Sequence, residues 1–302
     1  MKKFVKLVPL LACAFIFSSC IRDGLDLDNC FRNIRIEFRW IDTQPISQDE
    51  QVNISITSSQ GETTNITSNI YGRDVDLAAD TYTLVGWEPA ENINLNRVDG
   101  TVSVSTRADG IILNPTPFNA GMTRAEVIIQ QDSLIIPIPM YQQTRPLIVE
   151  VQFIDTDSPI INEFPPLESL SATLSGITLE RNINDAFIER ATRQSTKALK
   201  NGSIVYNLEE NPESREEGLW YIGSNNLLGF DPGVPHTFDL TVKFEGEEPL
   251  DISFDVSDQL SEFETKDIHE PWYIIIRLSL DSSLKVSIQD WIAGPESWLI
   301  AQ

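Results

Sequence analysis

The segment IRIEFRW, residues Ile34–Trp40, alternates apolar and charged side chains at every position. Successive side chains of an extended chain point to opposite faces, so its four apolar residues share one face and its three charged residues share the other. One face would therefore be buried and the other would contact water. This period of two predicts a half-buried β-strand at the start of the folded region.

The same alternation recurs along the first half of the chain, with turn-prone stretches such as EPAEN, RVDG and ADG between the apolar segments. The further alternating segments are QVNISIT (51–57), TYTLVGW (81–87), TVSVST (101–106), AEVIIQ (125–130) and SLIIPIPMY (133–141). Many short strands separated by turns are typical of an antiparallel β-sandwich.

The pattern restarts at PLIVEVQF, residues 146–153, in a strand much like the first one. A new first strand predicts a second domain of similar design, with the boundary near Gln142 to Arg145. We therefore expect an all-β protein with two tandem sandwich domains, residues 32–144 and 145–302, although one long sandwich is the alternative. Only Asn182–Lys200 has a composition suited to more than two helical turns, which predicts one short helix or a long ordered loop in the second domain.

The first nineteen residues have the features of an export signal. Lys2, Lys3 and Lys6 precede an apolar run, Val8–Phe17, that is too short to span a bilayer. Two serines then lead into Cys20, in an arrangement that resembles the bacterial lipobox, in which the cysteine is lipidated after cleavage. An ordinary secretory signal with an incidental cysteine is the alternative. We expect residues 1–19 to be the signal peptide and residues 20–31 to be an acidic tether to the outer membrane.

Composition limits the partners of the chain. The 302 residues include 22 Lys and Arg against 45 Asp and Glu, a formal charge of −23, which would repel nucleic acid. Of three cysteines, Cys13 lies in the signal and Cys20 is the expected lipidation site, so Cys30 has no partner for an intramolecular disulfide. A lone cysteine is usually buried, and we expect this of Cys30.

The sequence offers few groups for catalysis, and we expect no enzyme activity, metal or cofactor. Its two histidines, His236 and His269, lack metal-ligand spacing, and no nucleophile elbow or phosphate-binding glycine loop occurs. The carboxylate pairs Asp74/Asp76 and Asp155/Asp157 are expected at strand ends or turns, where they would be a weak basis for a glycosidase.

Aromatic residues leave two further alternatives open. The candidates for stacking on a sugar are Trp87, Trp220, Trp272 and Trp291, although core packing is the usual role of an aromatic residue in an alternating strand. The C-terminal Trp298, Leu299 and Ile300 would either pack on their own domain or be donated to a partner, because water is an unfavourable environment for them.

Several segments together resemble the FimB/Mfa2 family of fimbrial anchor and accessory lipoproteins of Bacteroidales. They are the run C-x-R-D-x-L-x-x-D-x-C from Cys20 to Cys30 with the strand that follows it, LSATLSGITL (170–179), FDVSDQL (254–260) and the tryptophan-bearing C-terminal segment. The resemblance extends over the whole chain after the signal, through diffuse patterns rather than one sharp motif.

The resemblance implies two transthyretin-like β-sandwich domains and an anchor or accessory role in a surface fimbria. Subunits in this family join by β-strand complementation, in which an extended segment of one subunit adds to a sheet of the next. Shaft subunits are trimmed at an arginine or lysine; Arg107 could be such a site, but we favour an ordinary loop arginine. The alternative function is that of a glycan-binding surface lipoprotein in polysaccharide uptake, which would share the anchor, compartment and fold class.

Overall fold

The computed structural model describes residues 31–46, 51–128, 134–155, 166–192, 194–211, 219–266, 270–280 and 286–295. In these ranges the chain forms β1 (Arg32–Trp40), β2 (Val52–Thr57), β3 (Thr63–Ser68), β4 (Arg73–Leu77), β5 (Asp80–Trp87), β6 (Ile93–Leu95), β7 (Thr101–Val104), β8 (Asn119–Val127), β9 (Leu134–Gln142), β10 (Arg145–Asp155), β11 (Leu167–Asn182), α1 (Asp185–Thr192), β12 (Lys200–Asn207), β13 (Glu209–Glu210), β14 (Leu219–Leu227), β15 (Thr237–Phe244), β16 (Leu250–Asp255), α2 (Ser257–Leu260), β17 (Trp272–Leu280) and β18 (Val286–Pro295). The protein is nearly all β, which confirms the predicted fold class.

The first sandwich is a seven-stranded sheet in the order β3-β2-β5-β8-β9-β1-β4. The ladder between β8 and β9 is only two residue pairs long, and the strands on its two sides bury their apolar faces in one core. Ile34 and Ile36 of β1 lie in this core with Ile54 of β2 and Leu84 of β5, each at most 1% exposed. The alternation that predicted β1 thus has the expected buried face.

The second sandwich consists of two sheets that face each other across a larger core. One sheet has the order β13-β14-β10-β17-β18, and the other has the order β16-β15-β11-β7-β6, with β12 also paired to β11. Leu147 and Val149 of β10 pack in the core with Leu174 of β11 and Ile274 of β17, all of them fully buried. The predicted restart of the pattern at residue 146 therefore corresponds to the central strand of a new sheet.

Two strands from the first half of the chain belong to a sheet of the second sandwich. β7 pairs antiparallel with the end of β11, from Thr101↔Asn182 to Ser103↔Glu180, and β6 extends that sheet by one strand. Farther along, Ile112 donates its backbone N–H to Ser203 O at 3.0 Å. Residues 93–113 thus tie the two sandwiches together, and we call them the crossing segment.

The strand pairing is mixed rather than purely antiparallel, which is a difference from expectation. β1 pairs with β9 in parallel, from Ile34↔Leu134 to Trp40↔Met140, and β10 pairs with β17 in parallel, from Leu147↔Trp272 to Asp155↔Leu280. In each half of the chain, the first strand pairs with a strand near the end of that half. Parallel partners need a long connection, and intervening strands supply it here. The transthyretin-like comparison and the division at residues 144 and 145 stay predictions.

The predicted helix within Asn182–Lys200 is confirmed as α1, which is shorter than the segment. Asp185 Oδ2 accepts the backbone N–H of Asn182 at 3.0 Å, and this contact fixes the turn from β11 into the helix. Within β11, Gly176 has a φ of +76°, and a Cβ there would lie 2.1 Å from His236 Nδ1. Glycine is required at this bulge because both the backbone angle and the space exclude a side chain.

Candidate functional site

The four candidate tryptophans lie in different environments. Trp272 is 1% exposed, with its ring 6.1 Å from that of Phe263 and 4.9 Å from the Arg145 guanidinium carbon. Its ring therefore has no face open to a ligand, and core packing is its role. Trp220 is half-buried on β14, opposite Gln152 of β10. Trp291 lies opposite Ile276 in the β17–β18 register, and its side chain is outside the described residues.

Trp87 differs from these because it borders an open groove between the two sandwiches. It ends β5, is half-buried, and packs against the core of the second sandwich. The groove encloses about 380 Å³, and Phe118, Ile93 and Leu95 form apolar parts of its lining. On the sheet, Asn53 of β2 lies directly opposite Trp87 and also lines the groove. We call this space the Trp87 groove.

Arg97 completes the Trp87 groove from the turn between β6 and β7. Its guanidinium carbon is 5.6 Å from the Trp87 ring centroid, within the range of a cation–π contact. Arg97 is exposed, and in the described part of the chain it forms no ion pair. The side chain of Asn53 likewise has no hydrogen-bond partner among the described residues. The groove therefore combines an aromatic surface, a cation and an unpaired amide.

A buried polar cluster lies where the two predicted domains meet. Arg181 of β11 and Glu189 of α1 form an ion pair of 3.0 Å, with side chains 5% and 3% exposed. Arg181 also donates to Gln143 O, in the connection between β9 and β10, at 3.3 Å. These residues border a cavity of about 30 Å³, which is large enough for about one or two water molecules. The arrangement fixes the connection between the halves and does not resemble a ligand cleft.

Glu264 borders the same cavity and resists ionisation. Burial raises its pKa to about 7, and the negative charge of Glu189 acts in the same direction. Its carboxylate accepts hydrogen bonds from the backbone N–H of Phe230 and from Ser195 Oγ, the latter at 2.8 Å.

Arg145, at the predicted boundary, has a structural role. Its guanidinium donates to the backbone oxygens of Phe263, of Lys266 at 2.9 Å and of Glu270 at 2.8 Å. Three carbonyl acceptors around one buried cation offset much of the cost of removing it from water. The side chain thereby holds the turn after α2 against the first strand of the second sandwich.

The remaining catalytic candidates that the structure describes do not converge. Asp74 and Asp76 lie inside β4 rather than at its end, where Asp74 contacts Arg35 at 3.5 Å and Asp76 accepts from Asn33 at 3.1 Å. They are cross-strand partners of β1. His236 is 4% exposed beside the Phe230 ring, and burial lowers its pKa. Within the described ranges, no group of three or more His, Cys, Asp and Glu side chains could hold a metal.

Sheet edges form the other candidate interaction surface. Within the described residues, β16 and β18 each pair with a strand on one side only, so their outer backbone groups have no strand partner. Along β16, Ile252 and Phe254 pack toward the core, whereas Asp251, Ser253 and Asp255 are exposed. Acidic side chains on an edge discourage uncontrolled pairing between copies.

Several sequence-based candidates fall outside the described residues. These are Cys20, Cys30, Asp157, His269 and the C-terminal Trp298, Leu299 and Ile300. Arg107 is described: it lies in an exposed loop and forms an ion pair of 3.0 Å with Asp109. No helix in the described part of the chain is both long and apolar enough to cross a membrane.

Residues Asn53 and Arg97 of the Trp87 groove were not singled out from the sequence. Asn53 falls on the polar face of an alternating strand, and Arg97 falls in a turn, so neither has a pattern of its own. Only the Asn53↔Trp87 register and the turn between β6 and β7 bring them to Trp87. Of these three residues, only Trp87 could be identified as a candidate from the sequence.

The sequence matches no protein-family model, and no curated protein matches it. Solved structures do share its architecture. The fimbrial anchor protein Mfa2 from Porphyromonas gingivalis superposes with a TM-score of 0.57 at 10% identity, covering 88% of this chain and 98% of that one. A protein proposed to be an adhesin, from Bacteroides ovatus, gives a TM-score of 0.57 at 10% identity and covers 90% and 97%.

A third structure, of proteins from Bacteroides thetaiotaomicron proposed to bind polysaccharide, gives a TM-score of 0.56 at 10% identity and covers 87% of this chain and 97% of that one. Identities this low establish a common fold and do not transfer a function. The similarity inferred from the sequence is confirmed at this level: over nearly its whole length, the chain has the fold of the Mfa2 fimbrial anchor protein.

Proposed function

We propose that this protein is an outer-membrane lipoprotein that acts as an anchor or accessory subunit of a surface fimbria. The observation that carries the proposal is the fold shared with the Mfa2 fimbrial anchor protein over 88% of the chain. The absence of a convergent catalytic group in the described residues is consistent with a structural role. The partners would be other fimbrial subunits.

Strand addition is the mode of assembly that we propose for these subunits. An extended partner segment would pair with an open sheet edge, its backbone groups giving affinity and its alternating side chains giving specificity. The edge strand β18 ends at Pro295, seven residues before the end of the chain. The proposal assigns the C-terminal Trp298, Leu299 and Ile300 to contacts with the partner strand or with the edge that receives it.

Lipidation at Cys20 would tie this body to the membrane. Several acyl chains on one residue give stable anchoring, and the acidic residues 20–31 would keep the tether in water. We further propose that the anchor leaves the folded part on the cell surface, where fimbrial subunits assemble.

Deletion of the gene in its host, followed by complementation, tests the proposal. We expect the deletion strain to show fimbriae that are altered in length or shed into the medium when examined by electron microscopy. The wild-type gene should restore them, whereas Cys20→Ala should leave the protein unlabelled by palmitate and in the soluble fraction. Cys30→Ala is the matched control and should behave as wild type. Fimbriae of unchanged number, length and retention in the deletion strain would refute the assignment.

Carbohydrate binding is the second candidate function, and the Trp87 groove is the observation that favours it. Half-exposed aromatic surfaces beside hydrogen-bonding side chains are suited to sugar rings, which present both apolar and polar groups. Among the candidate tryptophans whose side chains the structure describes, Trp87 borders such a groove, which supports this candidate function. The fold shared with proteins proposed to bind polysaccharide is compatible with this role.

A further inference from the structure

The Trp87 groove has the dimensions of a small ligand site. Its volume of about 380 Å³ is near the lower end of the range for ligand clefts, which is about 300–1,000 Å³. It is open to solvent, so a sugar residue could enter it from outside. Phe118, only 1% exposed, lines the groove and belongs to the core of the second sandwich, so part of the groove wall is apolar and fixed in place.

A cation without a carboxylate partner in the described residues borders this groove. The chain has 45 acidic residues against 22 basic ones, and six Lys or Arg side chains form ion pairs within the described part. Arg97 is exposed, has no carboxylate partner there, and lies over an aromatic ring instead. A cation left without an acid in so acidic a protein is available to an anionic group from outside.

The neighbouring groups favour a sugar as the carrier of that anion. Asn53 is directly opposite Trp87 in the β2–β5 register, so their side chains share one face of the sheet. The Cβ atoms of such a cross-strand pair are about 5 Å apart. The amide can both donate to and accept from a hydroxyl group. An aromatic ring beside such an amide and a guanidinium matches a pyranose with a carboxylate substituent.

We propose that the Trp87 groove binds acidic saccharides, with Trp87 stacking on a sugar ring, Arg97 pairing with its carboxylate and Asn53 bonding to a hydroxyl group. This inference rests on the second candidate function and specifies its ligand class. The exposed cation–π contact is weak, so the ligand carboxylate draws the guanidinium away and frees the ring face for stacking. The net negative charge of the protein opposes an anionic ligand, and salt screens this repulsion over about 10 Å.

Binding of the purified chain to paired oligosaccharides tests the proposal. The probes are tri- and tetrasaccharides that end in glucuronate, galacturonate or sialate, each beside its carboxyl methyl ester, with affinities measured by calorimetry. Because the ester keeps the ring and loses the charge, we expect at least one acid to bind about tenfold more tightly than its ester. No binding by any acidic probe, or equal binding of acids and esters, overturns the proposal.

Variants separate a ligand contact from a structural role. Trp87→Ala should weaken the binding of both the acid and the ester by about tenfold or more. Arg97→Gln should lower the affinity for the acid to that for the ester and leave the affinity for the ester unchanged. Trp220→Ala and Arg107→Gln are the matched controls and should leave both affinities as in wild type. If Trp87→Ala fails to fold, Arg97→Gln and Asn53→Ala carry the test, because these side chains are not part of the core.

Two further outcomes would contradict the assignment. Acid selectivity that survives Arg97→Gln would place the carboxylate elsewhere. Binding of an extended peptide that is lost in Trp87→Ala, without saccharide binding, would assign the groove to a polypeptide strand beside the β6 edge. Neither outcome affects the fimbrial proposal, because fimbriae should look the same in a strain carrying Arg97→Gln.

Discussion

Buried ionisable residues connect the two halves of this chain, and one of them, Glu264, has a pKa raised to about 7 by burial. Arg181 contributes one positive charge to the cluster, whereas Glu189 and Glu264 contribute two carboxyl groups. Burial disfavours the charged form of Glu264, and the nearby negative charge of Glu189 disfavours it further. The cost of burying an unpaired charge is large, so the folded state favours a proton on Glu264 near neutral pH.

This site makes stability depend on pH in a defined direction. The carboxyl pKa is about 4.3 in the unfolded chain, and burial with the Glu189 charge raises it to about 7 in the fold. Between these values the folded state binds more protons, so the contribution of Glu264 is fully present below the lower value and is lost as the pH rises through about 7. The loss is at most about 1.4 kcal/mol per pH unit.

We therefore expect Glu264→Gln, which remains neutral, to gain stability relative to wild type as the pH rises from 5 to 8. Urea unfolding at pH 5 and at pH 8 measures the difference in the free energy of unfolding between this variant and wild type. Glu262→Gln is the control, because the carboxylate of Glu262 is exposed beside Lys266. The stability difference between this variant and wild type should vary much less with pH. A Glu264→Gln difference that is the same at both pH values would contradict a buried proton.

At the scale of strands, the sequence predicted those with one buried face and missed the edge strands β3 and β4. Strands β1, β2 and β10 alternate clearly because one side of each contacts a core. By contrast, β3 has the sequence TTNITS and β4 has RDVDL, and most of their side chains contact water on both faces. An edge strand forms because it pairs with its neighbour, and such pairing leaves little trace in hydropathy.

The crossing segment shows a second limit of sequence patterns. TVSVST was predicted to be a strand, and β7 confirms it, but its partner β11 lies almost eighty residues farther along the chain. Alternation shows which face of a strand is buried, but it does not show which other strand or sheet packs against that face. The same reason applies to the Trp87 groove, whose aromatic residue could be identified while Asn53 and Arg97 could not.

Val102 of β7 is the position at which this pairing can be tested. It is fully buried in the core of the second sandwich, opposite Arg181 of β11. We expect Val102→Ala to lower the free energy of unfolding by about 1–3 kcal/mol, because two buried methyl groups are replaced by a cavity. Val98→Ala, at a side chain 61% exposed in the adjacent turn, should change it by less than about 0.5 kcal/mol.

Hydrogen exchange locates the effect of Val102→Ala. The amides of Glu180 to Asn182 should exchange faster in this variant than in wild type, because these residues pair with β7. Faster exchange confined to the strands of the first sandwich would mean that β7 does not support the second one.

For the whole molecule, the crossing segment makes the second sandwich depend on the first half of the chain. The core of the second sandwich includes Val104, Ile112 and Phe118 along with the residues of β10 and β17. Without them, the end of β11 would lack its partner strand and the core would be open to water. Two sandwiches in sequence therefore need not be two independent folding units.

We expect a fragment of residues 145–302 to be incompletely folded, with strong binding of the dye ANS and weak near-ultraviolet circular dichroism. A peptide of residues 92–113 should raise its melting temperature as the peptide concentration increases, because a ligand that binds only the folded state stabilises it by mass action. A peptide of the same composition in scrambled order should have no effect. Native-like circular dichroism of the fragment alone, with no response to the peptide, would show instead that the second sandwich folds by itself and that β7 only rests on its sheet.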